Sequence, residues 1–113
     1  MSKLYGAIEA GGTKFVCAVA DEDLNILERV SIPTTVPAET MADVFKFFEK
    51  HDVVSIGIAS FGPIDVNRKS ETYGYITNTP KPGWKDYDFL GEMKKRFDVD
   101  YAWTTDVNGA AYG

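Results

Sequence analysis

A double glycine stands between two runs of strand-forming residues near the start of this chain, and it limits the possible folds more than any other feature. Leu4, Tyr5, Ala7 and Ile8 lead into Glu9-Ala10-Gly11-Gly12-Thr13-Lys14, and Phe15, Val16, Cys17, Ala18 and Val19 lead out. The pattern predicts a β-hairpin, because Gly11 and Gly12 can take positive φ at a chain reversal without steric cost. Lacking Cβ atoms, they also leave backbone N–H groups bare. With the Thr13 hydroxyl and the Lys14 ammonium, those donors suit an anionic oxygen such as that of a phosphate. The same residues also allow a purely structural turn, with Thr13 bonded locally and Lys14 in water.

Beyond the hairpin, the charged turn Asp21-Glu22-Asp23 precedes Ile26, Leu27, Val30 and Ile32, a third strand that ends near Pro33. Three strands joined by tight turns predict an antiparallel meander. Pro37 and Glu39 suit a helix start, and Met41, Val44, Phe45 and Phe48 recur at helical spacing up to about Lys50. His51 sits at the end of that helix. With no second His and no nearby Cys, it reads as a capping or surface residue rather than a metal ligand.

The apolar run Val53, Val54, Ile56, Ile58 and Ala59 has the pattern of a strand buried on both faces, reached from the meander by a parallel crossover. It opens into Ser60-Phe61-Gly62-Pro63, and ligands of open α/β sheets bind at such carboxyl strand ends. Asp65 fits either a ligand contact or an Asx turn. The stretch from Asn67 to Lys85 lacks periodicity, as binding loops do. In it Asn78 and Thr79 offer polar groups, and Trp84 offers either an apolar face to a ligand or a plug for the core.

Asp86 or Asp88 can cap a second helix bearing Phe89, Leu90, Met93 and Phe97, with Lys94-Lys95-Arg96 as its wet face. Tyr101-Ala102-Trp103 then predicts a further strand. Asp106 follows between strand end and helix start, where it fits two roles: an N-cap, or an ionised carboxylate at the ligand edge.

The 113 residues suffice for one modest domain, with 44% hydrophobic residues for its core. Asp and Glu outnumber Lys and Arg by 17 to 12, which argues against nucleic acid as a partner. The lone Cys17 reads as a core residue and permits no intrachain disulfide. No stretch approaches the roughly 20 apolar residues of a membrane span, and the expectation is a cytoplasmic protein without membrane contact.

Taken in order, Glu9 to Lys14, Ser60 to Asp65, Thr77 to Trp84 and Thr105 to Ala111 resemble the ROK family of sugar kinases and repressors, most closely its bacterial fructokinases. The resemblance implies an α/β actin-like, ribonuclease H-like lobe: a three-stranded antiparallel meander extended by parallel strands, with helices packed on the sheet. It also implies ATP-dependent phosphorylation of a hexose, D-fructose to fructose 6-phosphate, with Mg²⁺. On this likeness Gly11, Gly12, Thr13 and Lys14 bind the nucleotide's phosphates, Asp106 is the catalytic base, and Gly62, Pro63, Asn78 and Thr105 meet the sugar. Thr105 stands where glucokinase-like members have Asn, which favours a ketose. Glu9 replaces the more usual Asp of the phosphate motif, where a carboxylate could hold a magnesium-bound water.

A family kinase would continue into a second lobe carrying another phosphate loop, the adenosine pocket and a zinc site. Residues 1–113 are therefore expected to be the amino-terminal lobe alone, inactive by itself, with zinc assigned to none of its residues. The alternative function is a family repressor or sensor that binds sugar without catalysis. The partners expected are ATP and a small sugar, and a homodimer is compatible with the sequence.

Overall fold

The computed structural model describes residues 3–105. Strands β1 (Leu4–Ala10), β2 (Lys14–Ala20) and β3 (Ile26–Pro33) form the expected meander, β1 pairing with β2 and β2 with β3, both antiparallel. Alternation sets the faces: Ile8, Ala10, Phe15, Cys17 and Val19 are buried, while Tyr5, Ala7 and Glu9 face outward. The β2–β3 turn closes on the Asp21 carboxylate, which accepts from the N–H of Asp23 at 2.9 Å and of Asn25 at 3.0 Å. Those bonds, Asn25's foremost, hold the Asp21 carboxyl below its ordinary range.

Helix α1 (Pro37–Glu49) starts with Pro at its first positions, and no side chain caps it. Thr40 serves that end instead: its Oγ1 accepts from Thr35 N–H at 2.8 Å and donates to Pro33 O at 3.1 Å. The predicted stripe of Met41, Val44, Phe45 and Phe48 is buried, and Phe47 and Thr40 are buried beside it. Phe48 lies so close to β1 that a Cβ on Gly6 would come within 2.7 Å of its Cε1. Past the helix end, His51 Nε2 sits 2.6 Å from Glu28 Oε1, tying α1 to β3. The ring and then the Lys50 charge hold the Glu28 carboxyl below its usual range.

Strand β4 (Val53–Ser60) runs parallel to β1, so α1 crosses over β2 and β1 to reach it. Sequence predicts burial on both faces of β4, but among the described residues only one face is covered. Ile56 and Ile58 are enclosed, whereas Val54 remains 42% exposed and a Cβ on Gly57 would meet nothing within 4 Å. Both helices lie against the Ile56 face, which leaves the small residues Ala7, Ala18, Gly57 and Ala59 on the other.

The aperiodic stretch is a small hairpin excursion, β5 (Tyr75–Ile76) pairing antiparallel with β6 (Tyr87–Asp88). Helix α2 (Phe89–Arg96) follows, and its cap is Asp88, whose side chain accepts from Gly91 N–H at 2.9 Å. Asp86, the other capping candidate, instead adopts φ 60° in the preceding turn. Strand β7 (Asp100–Thr105) pairs parallel with β4 and completes a five-stranded sheet in the order β3-β2-β1-β4-β7. Its ladder to β4 and the neighbouring β1–β4 ladder align Ala10, Ser60 and Thr105 at one carboxyl edge. Among the described residues, no helix is long and apolar enough to cross a membrane.

Candidate functional site

The turn between β1 and β2 is tight, with Gly11 N–H donating to Lys14 O at 3.0 Å. Sequence offered positive φ as the reason for two glycines, but neither adopts it. The reasons are spatial. A Cβ on Gly11 would stand 2.9 Å from Lys14 O, so the chain could not fold back as it does. A Cβ on Gly12 would meet nothing within 4 Å and would project into open space.

The Gly11, Thr13 and Lys14 carbonyls of the hairpin are occupied, while several of its donors are not. Thr34, just beyond β3, donates its hydroxyl to Gly11 O at 2.7 Å and its N–H to Thr13 O at 3.0 Å. The N–H groups of Gly12 and Thr13 and the Thr13 hydroxyl have no protein partner among the described residues. They border a cleft of about 420 Å³ together with Gly11, Lys14 and Glu9. Val16 and Arg29 line the rest of it. A turn held at the Gly11 and Thr13 carbonyls, with the Gly12 and Thr13 N–H groups bare, attracts anionic oxygens.

Beside the hairpin, the β4 loop is bound to the end of β1 through Phe61 N–H, which donates to Ala10 O at 2.7 Å. Gly62 has no room for a Cβ, which would lie 2.9 Å from Ile64 N, and the Gly62–Pro63 peptide is cis. Pro63 O accepts both the N–H and the hydroxyl of Thr77, at 2.8 and 3.1 Å. That pair brings the following residue, Asn78, beside the loop, with its side chain exposed and unpartnered among the described residues. Thr105 ends β7 opposite Ser60 on the same edge. Asp106, the predicted base, lies outside the described residues.

The fold thus gathers Gly11, Gly12, Thr13, Lys14, Gly62, Pro63, Asn78 and Thr105 along one sheet edge. Two other candidates take structural roles. Asp65 is a turn residue: its carboxylate accepts from Asn67 N–H at 2.9 Å and from the Thr72 hydroxyl at 2.5 Å. The hydroxyls of Ser70 and Thr72 hold its carboxyl below the usual range. Trp84 is fully buried, ringed by Phe15, Phe61, Tyr87 and Phe89 at centroid distances of 5.2–6.5 Å. Its indole N–H donates to Thr35 O at 2.7 Å, so it plugs the core and faces no ligand. Burial pushes the Cys17 thiol up to about 12, leaving it an inert core residue.

Among the described residues, no three His, Cys, Asp or Glu side chains form a metal cluster. Glu9 is the one carboxylate of the cleft among them. A Mg²⁺ that arrives with a nucleotide takes one or two carboxylates and completes its shell with phosphate oxygens and waters, so Glu9 fits such an ion. Sequence reading missed two residues of the site. Thr34 looks like any polar loop residue and acts on the hairpin only through the fold, and Arg29 looks like a solvated strand residue. The one signal for Arg29 is the period-2 alternation that sets it on the outward face with Glu9.

The open space at Gly12 gives a sharp expectation. Gly12→Val should change stability by no more than about 1 kcal/mol, since its side chain meets no protein atom. It should nevertheless raise KM for a nucleotide in the complete protein by about tenfold or more, because the branched side chain would fill space beside the bare donors. A thermal melt and a titration on the same variant check this, and unchanged nucleotide affinity would make the turn merely structural.

A meander extended by parallel strands, with loops gathered at their shared carboxyl edge, is the architecture of an actin-like lobe, as solved ROK sugar kinases have it. The chain belongs to the ROK family, whose sequence profile matches residues 5–113. It is 58% identical to a fructokinase from Streptococcus mutans over 115 aligned residues, covering 100% of this chain and 39% of the relative. A fructokinase from Pediococcus pentosaceus is 61% identical, across 97% of this chain and 38% of the relative. Among solved structures, a ROK family glucokinase from Streptomyces griseus in complex with glucose and AMPPNP superposes with a TM-score of 0.71 at 25% identity. That match covers 99% of this chain and 35% of the glucokinase. The chain therefore spans less than two fifths of the length of these relatives.

Proposed function

We propose that the complete protein carrying this chain transfers the γ-phosphoryl group of ATP to a hexose, D-fructose, giving fructose 6-phosphate and ADP. The observation that carries the reading is the hairpin. Thr34 fixes the Gly11 and Thr13 carbonyls, while the bare donors of Gly12 and Thr13 border a cleft on the edge that also holds Gly62, Pro63, Asn78 and Thr105. Relatives named fructokinase at 58% and 61% identity support the choice of sugar.

In this reading the phosphate chain lies against the N–H groups of Gly12 and Thr13, the Thr13 hydroxyl and the Lys14 ammonium. These fixed donors offset the charge of the transferring phosphoryl group without reorganising, which is the main task of a phosphoryl-transfer site. Gly62 and Pro63 shape the sugar subsite by close backbone approach, and Asn78 and Thr105 offer hydrogen bonds to its hydroxyls. Asp106 accepts the proton of the attacking hydroxyl as that oxygen bonds to phosphorus and the bond to the ADP oxygen breaks. The transfer is direct, with no phosphoenzyme. A bound Mg²⁺, with Glu9 toward its water shell, would supply further positive charge to the phosphates. A cytoplasmic setting, where ATP and free hexose meet, fits this chemistry.

The test is a coupled assay of the complete protein with ATP and fructose, beside separate calorimetric titrations with each. Turnover of fructose with both ligands bound is the expected result. Sugar binding without turnover would instead mark a sensor or repressor. The 113-residue chain alone should show no turnover above a mock preparation, because its relatives complete the protein with more than half their length outside the matched region.

A further inference from the structure

Among the described residues, Arg29 is the one charged member of the hairpin cleft that no motif predicts. It lies on β3 opposite Ala18 of β2, and Ser31, two residues along on the same face, is opposite Val16. These small or short neighbours leave the outward face clear for a long side chain to reach the cleft, which Arg29 lines together with Lys14 and Glu9. The cleft thus carries two cations and one anion in a chain whose net charge is −5. Among the described residues, ion pairs join Glu28 to Lys50 and to His51, and Glu92 to Lys95. Arg29 and Lys14 enter none of them, although Glu9 shares their cleft.

We propose that Arg29 is a second cationic contact for the nucleotide's phosphates, acting with Lys14 from the neighbouring strand. This rests on the reading of the hairpin as a phosphate site. A guanidinium is always charged at neutral pH and meets two phosphate oxygens at once with its planar fork, whereas an ammonium acts as a point charge. Lys14 at the turn and Arg29 farther down the sheet would hold an extended phosphate chain at two points. A single phosphate would gain less.

The test is calorimetric titration of the complete protein with ATP, ADP and AMP, comparing wild type, Arg29→Ala and Arg29→Lys. Arg29→Ala should weaken ATP binding by about tenfold or more, with a smaller loss for ADP and the least for AMP. Arg29→Lys should recover part of the loss. Affinity for fructose and the thermal melt should match wild type, since the Arg29 side chain makes no hydrogen bond or ion pair among the described residues and either substitution keeps its backbone pairing with Ala18. In steady state KM for ATP should rise while KM for fructose holds. ATP affinity within about twofold of wild type in Arg29→Ala would overturn the assignment, as would an equal loss for ATP and AMP. If wild type itself bound no ATP, the phosphate reading of the hairpin would fall and Arg29 with it. Normal ATP binding by both wild type and Arg29→Ala would remove Arg29 alone.

Discussion

Replacing Asp106 by Asn in the complete protein is expected to lower kcat for fructose phosphorylation by about 10²–10⁴-fold, the usual contribution of a positioned general base. The amide keeps the size and a hydrogen-bonding oxygen of the carboxylate, so fructose affinity should survive in part. It has no capacity to take the hydroxyl proton. Asn caps helices about as well as Asp, so a capping role alone would leave both stability and kcat near wild type, within about 1 kcal/mol for the former. A thermal melt beside a coupled assay on one preparation separates the two roles. Near-normal kcat would refute the base, and unfolding would show that the position matters to the lobe beyond capping.

Trp84→Ala should have the largest effect on stability, about 3–5 kcal/mol, read as a lowered denaturation midpoint of the complete protein. The indole is fully enclosed and shares faces and edges with Phe15, Phe61, Tyr87 and Phe89, so its removal opens a cavity in the middle of the aromatic cluster. It also leaves Thr35 O without its donor. Thr35 adjoins Thr34, whose two hydrogen bonds fix the β1–β2 hairpin, so the same change should loosen the turn that Gly12 and Thr13 form. Trp84→Phe keeps most of the packing and loses the hydrogen bond, and should cost less, about 1–3 kcal/mol. Equal midpoints for wild type and Trp84→Ala would contradict the core assignment.

What could be read from the chain beforehand was whatever depends on local pattern. The strand-forming runs on either side of Gly11 and Gly12, helical spacing from Met41 to Phe48 and Pro37 at a helix start each follow from short-range sterics, and the structure has the elements they predict. The edge holding Gly11, Gly62 and Thr105 was legible for a related reason: parallel strands with a crossover align their carboxyl ends. Features that depend on distant partners were not legible. Thr34 grips the hairpin from 23 residues away, and Trp84 finds its acceptor 49 residues back, so no window around either residue contains the cause. The glycines of the turn were located correctly, but positive φ is not their reason, because Gly11 is required by the nearness of Lys14 O. The apolar run of β4 suggested two covered faces, and the described residues cover one. Asp86 and Asp88 were equivalent as capping candidates until backbone geometry placed only Asp88 at the helix end.

The most direct test of the central claim is amide chemical-shift mapping of the complete protein during titration with AMPPNP. The account predicts that the Gly12 and Thr13 N–H resonances, bare in the free protein, shift among the most and saturate with the bound nucleotide. Gly74 and Gly91, away from the cleft, should stay in place. Saturable nucleotide binding that leaves Gly12 and Thr13 unmoved would contradict it.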